Sequence, residues 1–105
     1  MPTYEVLPRF WNDFAGLTAA QQDLALAACA EFRVILKVWE GTNRRQSPKF
    51  PRRLGVTRMV GHPNVLELAW APDGRCTWHY GRPQRPGMVH VVWRRVGSHD
   101  IYQDP

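Results

Sequence analysis

Apolar positions recur at helical spacing in the first part of the chain and alternate in the second, with the change of period near Gly41. Tyr4 to Leu7 is short enough for a first strand. Pro8 then opens a helical turn in which Phe10, Phe14 and Leu17 follow at spacings of four and three, until Gly16 interrupts it. Thr18 and Gln21 have the spacing of a capping box. Behind them Leu24, Ala28, Phe32, Ile35 or Leu36, and Trp39 keep one face apolar, so a second helix is predicted to end before Gly41. Gly41 to Pro51 collects Gly, Asn, Ser and Pro around Arg44, Arg45 and Lys49, the composition of an exposed basic loop. After Pro51 the period of two predicts strands at Leu54 to Val60, Val65 to Ala71, Arg75 to Tyr80 and Met88 to Val96. Turns fall at Gly61 to Asn64 and Pro72 to Gly74, a loop at Gly81 to Gly87, and a short tail from Ser98 to Pro105.

The order β-α-α-β-β-β-β predicts an α+β fold: an N-terminal strand, a two-helix hairpin, then about four further strands in a mostly antiparallel sheet with both helices on one face. Residues 1–105 form a single domain at this length. Alternation assigns Leu66, Leu68, Trp70, Cys76, Trp78 and Tyr80 to the helix-facing side, which leaves Glu67, Arg75, Thr77 and His79 together on the other. In the last strand neither alternating set is cleanly apolar. If Arg95 lies on the free face, the period places His99 there too unless Gly97 bends the chain.

Charge sharpens this division. Residues 1–41 carry three Lys or Arg against five Asp or Glu, a net −2, whereas the rest carries eleven against four, a net +7. A basic half of this kind attracts a polyanion or an acidic protein. Cys29 and Cys76 form no CxxC pair, His62, His79, His90 and His99 contain no close ligand pair, and neither a metal nor another cofactor is expected. Ser98-His99-Asp100 contains the residue types of a hydrolytic triad, but adjacent extended residues point to opposite faces. The longest apolar run, Leu24 to Ala30, is too short for a membrane span, and the first residues lack a secretory signal, so a soluble cytoplasmic protein is expected.

The segment VVWRRVGSHDIY, Val91 to Tyr102, resembles the C-terminal strand and tail of RelE/ParE-superfamily toxins, in which an Arg, a small-residue turn, a His and a terminal aromatic recur. FWNDFAGLTAAQQDLALAACAEF resembles their helical hairpin, and LGVTRMVGHPNVLELAWAPDGRCTWHYG their strand ladder with an acidic residue and a later Arg. The resemblance departs at Thr57, where many relatives carry a strand Lys, and at Ala69-Trp70, where an Arg often follows the acidic residue. It implies a RelE-like fold and the toxin of a type II toxin-antitoxin module. Such a toxin is monomeric alone, hetero-oligomeric with a cognate antitoxin, and cleaves messenger RNA on the ribosome without metal. The alternatives are a ParE-like inhibitor of DNA gyrase and a basic RNA-binding domain without activity.

By that likeness His99, Arg95 and Tyr102 fall on catalytic positions, with Glu67 and Arg75 as supporting sheet residues. RNA cleavage through its own 2′-hydroxyl needs proton transfer and fixed positive charge at the phosphate. His99 is expected to transfer the proton, Arg95 and Arg75 to supply charge, Glu67 to share the acid/base role, and Tyr102 to stack a base or orient the phosphate. Arg44, Arg45, Lys49, Arg52, Arg53 and Arg58 are expected to steer RNA rather than perform chemistry.

Overall fold

Pro8 occupies the first helical position, where its missing N–H costs nothing, and the capping box at Thr18 forms as its spacing predicts. Gln21 N–H donates to Thr18 Oγ1 at 3.2 Å, and the Thr18 N–H donates to Gln21 Oε1 at 2.9 Å. The computed structural model describes residues 1–105. Its elements are β1 (Thr3–Val6), α1 (Pro8–Ala15), α2 (Ala19–Glu40), β2 (Thr57–Arg58), β3 (Leu66–Ala71), β4 (Gly74–Arg85) and β5 (Met88–Gly97), with single 3-10 segments at Arg52–Leu54 and His99–Gln103. The sheet order is β1, β5, β4, β3, β2; β1 runs parallel to β5 and every other pair is antiparallel. No helix is long and apolar enough to cross a membrane.

Both helices cover one face. Phe32 of α2 is fully buried, stacked on Phe50 at 5.1 Å and edge-on to Trp78 at 4.7 Å and Trp93 at 5.1 Å. Phe10 of α1, Leu36 of α2 and Leu68, Cys76, Val91 and Val96 of the sheet complete this core. The Cys29 and Cys76 sulfurs lie 3.9 Å apart as free thiols between α2 and β4. Burial pushes the Cys76 thiol well above its ordinary range, and the neighbouring Cys29 adds to that shift.

Two sequence expectations need correction. The strand expected over Leu54 to Val60 shrinks to Thr57–Arg58, because Arg52–Leu54 coils into a 3-10 turn closed by left-handed Gly55 (φ 57°). The loop expected over Gly81 to Gly87 is instead the far end of β4, paired onward to Arg85 opposite Met88. Pro83 is tolerated there because pairing with β3 ends at Trp78 and the ladder with β5 is irregular between Gly81 and Arg85. The sequence left open whether Gly97 bends the chain; it stays in β5 opposite Arg75, and Ser98 starts the 3-10 segment by accepting from the Asp100 N–H. The face opposite the helices is only partly open. The tail folds back over it, burying Ile101, Pro105 and Thr77.

A bulge resolves the uncertain parity of β5. Trp78 faces Trp93 and Thr77 faces Arg95, so Arg94 is an extra residue. Trp93 and Val96 therefore both reach the core, although their spacing is odd.

Candidate active site

Glu67 lies on β3 directly opposite Thr77 of β4, on the face that the helices leave uncovered. Two side chains converge on its carboxylate. Tyr102 donates its hydroxyl to Glu67 Oε1 at 2.9 Å, and Arg75 Nε lies 3.7 Å from the same oxygen. The Glu67 and Arg75 side chains are 16% and 19% exposed, so the pair is shielded but reachable. Arg75 is held by its own turn, its Nη1 donating to the carbonyls of Ala71 at 3.0 Å, Pro72 at 3.2 Å and Gly74 at 2.9 Å. Its guanidinium also reaches the Tyr102 side chain, so the cation, the phenol and the Glu67 carboxylate stand together. Burial raises the Tyr102 hydroxyl pKa, and the Glu67 hydrogen bond raises it further, which keeps the phenol a donor at neutral pH.

His99 and Tyr102 come from the same 3-10 segment and meet edge to face with ring centroids 5.0 Å apart. His99 Nδ1 is in contact with Asp73 Oδ1, and the same oxygen accepts from the His99 backbone N–H at 3.4 Å. With Nδ1 engaged, Nε2 is the nitrogen presented outward. Asp73 was legible in the sequence only as the middle of a Pro-Asp-Gly turn; that turn places its carboxylate beside the tail.

Four of the residues singled out from sequence, Glu67, Arg75, His99 and Tyr102, are thus linked through shared contacts. Arg95 is placed differently. Its Nε and Nη2 donate to the two oxygens of Asp13 at 2.9 and 2.8 Å, and Nη1 donates to the Asp104 carbonyl at 3.2 Å. Asp13, at the end of α1, also accepts from the Val96 N–H at 3.3 Å, so it ties the helix to β5. The Asp13 hydrogen bond raises the Arg95 pKa further. On the same sheet face Arg94 contacts His79 Nδ1 at 3.1 Å and donates to the Pro105 carbonyl. Burial, then the Arg94 charge, lowers the His79 pKa.

The basic residues expected to steer RNA divide into separate positions. Arg44, Arg45, Arg52 and Arg58 line one groove on the helix-bearing side of the sheet. Lys49 is exposed in the neighbouring loop. Arg53 is paired with Glu31 of α2 at 2.6 Å.

Sequence comparison finds no matching family profile and no matching curated protein. Solved structures do match over nearly the whole chain. YafQ in the Escherichia coli DinJ-YafQ complex superposes with a TM-score of 0.60 at 12% identity, over 95% of this chain and 96% of that one. The YoeB/ParE toxin from Agrobacterium tumefaciens gives 0.54 at 9% identity, over 92% and 98%. The RelB-RelE antitoxin-toxin complex from Methanococcus jannaschii gives 0.50 at 12% identity, over 95% of each chain. The chain therefore has the fold of the RelE/ParE-superfamily toxins, the family that its sequence resembles.

Proposed function

We propose that this protein is the toxin of a type II toxin-antitoxin module and cleaves messenger RNA on the ribosome, without metal, by attack of the RNA's own 2′-hydroxyl. The observation that carries the reading is the linked set Glu67, Arg75, Tyr102 and His99 on one face, an arrangement with proton-transfer groups beside fixed positive charge. In the reaction the 2′-oxygen forms a bond to phosphorus, its proton passes to Glu67, and the bond from phosphorus to the 5′-oxygen breaks. His99 Nε2 delivers a proton to that leaving oxygen, and the products are a 2′,3′-cyclic phosphate and a 5′-hydroxyl. The Arg75 guanidinium meets the charge that builds on the phosphorane. Tyr102 keeps Glu67 in place, and Asp73 orients the His99 ring. Arg95 acts one step away by anchoring β5 to α1 through Asp13.

The protein is neutralised by a cognate antitoxin, as the solved complexes of similar fold lead one to expect. Trp11 of α1 and Leu24, Leu26, Val34 and Val38 of α2 are each at least half exposed and offer such a partner apolar surface. Induction of the protein followed by mapping of RNA 5′-ends tests the proposal. New ends carrying 5′-hydroxyls, suppressed by co-expression of the neighbouring antitoxin gene, are expected. No new ends from a folded, RNA-binding protein would overturn the nuclease reading and leave an inactive RNA-binding domain.

A further inference from the structure

An open groove of about 790 Å³ runs between the loop after α2, the Arg52–Leu54 turn and the ends of β3 and β4. Trp78 and Leu66 line it, so it lies on the helix-bearing side of the sheet, across from Glu67 and Tyr102. None of its lining side chains is acidic, and four of them are arginines. The walls are aromatic. Arg44 already stacks over Trp39 with its guanidinium 5.6 Å from the ring centroid, Phe50 backs onto Phe32, and the Tyr80 residue is 44% exposed. Trp78, fully buried, carries an indole N–H with no acceptor, an unmet polar demand beside the groove.

Guanidinium groups and an exposed aromatic ring along one channel form the usual combination for single-stranded nucleic acid, in which phosphates meet the cations and bases stack. An acidic peptide would satisfy the arginines equally well. Position decides between them. Thr57 pairs with Glu67 and Arg58 with Leu66, so the two-residue β2 is the outer edge of the sheet between this groove and the face that carries the candidate active site. β2 is only two residues long and pairs on one side alone, so a linear polyanion of several nucleotides can round that outer edge, which a charge match at the groove by itself would not require. We infer that the groove holds the single-stranded RNA flanking the scissile phosphate, stacking a base on Tyr80 and pairing phosphates with Arg45, Arg52 and Arg58. This rests on the RNA-cleaving reading above and adds a second, non-catalytic binding segment to it.

The test uses 2′-O-methyl oligonucleotides, which cannot be cleaved, with the full chain followed by amide NMR. A dinucleotide should shift amides around Thr77, His99 and Tyr102 only. An octanucleotide should also shift those of Phe50, Tyr80 and Val89, and should bind at least about tenfold more tightly, the gain expected from one added stacking contact. Tyr80→Ala and, separately, the double exchange Arg45→Ala with Arg52→Ala should each remove most of that gain; the second changes exposed residues and keeps the test open if the first disturbs folding. An octanucleotide that shifts only the Glu67 side overturns the groove assignment while leaving the nuclease reading intact. If neither oligonucleotide shifts any amide, the RNA reading falls and the groove assignment with it. A glutamate-rich peptide that shifts the groove amides when the octanucleotide does not would make the groove a protein-docking site, also overturning the inference.

Discussion

Arg95 and Arg75 carry the same charge on the same sheet, but only Arg75 stands in the linked set with Glu67 and Tyr102. All three Arg95 guanidinium nitrogens are bonded to Asp13 and Asp104, whereas the Arg75 guanidinium, held to its turn through Nη1, stands beside Glu67 and Tyr102. Arg75→Ala and His99→Ala should each lower RNA cleavage by at least about 100-fold with folding retained, as expected for a lost oxyanion donor and a lost proton-transfer group. Arg95→Ala and Asp13→Ala should each cost about 2 kcal/mol of stability, since either leaves a half-buried charge without its hydrogen bonds. A double-mutant cycle in urea unfolding should return coupling of about 1 kcal/mol or more; zero coupling would refute the anchoring role. His79 makes a prediction about pH. Its pKa is lowered by burial and by Arg94, so the unfolded chain binds this proton more readily than the folded one. Stability from this group is therefore present above the ordinary histidine value of about 6.5 and is lost as pH falls through the lower folded value. Melting temperature should decline between pH 7 and pH 5, and His79→Gln should flatten that decline; an unchanged slope would exclude His79 as its source.

The tail is the element on which the candidate site depends, because it delivers both His99 and Tyr102. Gly97 lets it approach: a Cβ there would stand 2.9 Å from Ile101 Cγ2. Gly97→Ala should therefore displace the tail, cost about 1 to 3 kcal/mol and reduce cleavage more than its stability loss explains. Wild-type cleavage by this variant under folding conditions would show that the tail does not position the site. Alternation along β3 and the first part of β4 was enough to place Glu67, Arg75, Thr77 and His79 on one face, and the capping box located α2 to the residue. Both are short-range patterns. The β5 bulge, the Arg95 anchor and the return of the tail over Thr77 depend on contacts far apart in sequence, such as Asp13 with Arg95, and alternation carries no trace of them. Asp73 was hidden for a related reason: a Pro-Asp-Gly sequence fully accounts for a turn and leaves no residual signal of a histidine partner.

Across the whole molecule, the charge imbalance seen in the sequence becomes a placement of cations. The +7 half supplies the arginines of the groove and the Arg75 of the candidate site, on either side of the β2 edge, while the −2 half supplies the helices and the Asp13 anchor. If RNA follows the path from groove to site, about four phosphates meet Arg45, Arg52, Arg58 and Arg75. For a single strand each such contact contributes about −0.7 to the slope of log K against log salt, so a slope near −3 is expected. Between 50 and 200 mM salt, affinity for a non-cleavable octanucleotide should then fall by roughly 50-fold. Arg52→Ala should reduce the slope by about 0.7 and weaken binding similarly for all base sequences, because phosphate contacts carry no sequence information. Arg53→Ala should leave the slope almost unchanged, since that side chain is already paired with Glu31. Measured by fluorescence anisotropy across a salt series, a slope shallower than about −1 would mean that at most one or two phosphates are neutralised, too few for a strand that occupies both sides of the sheet edge.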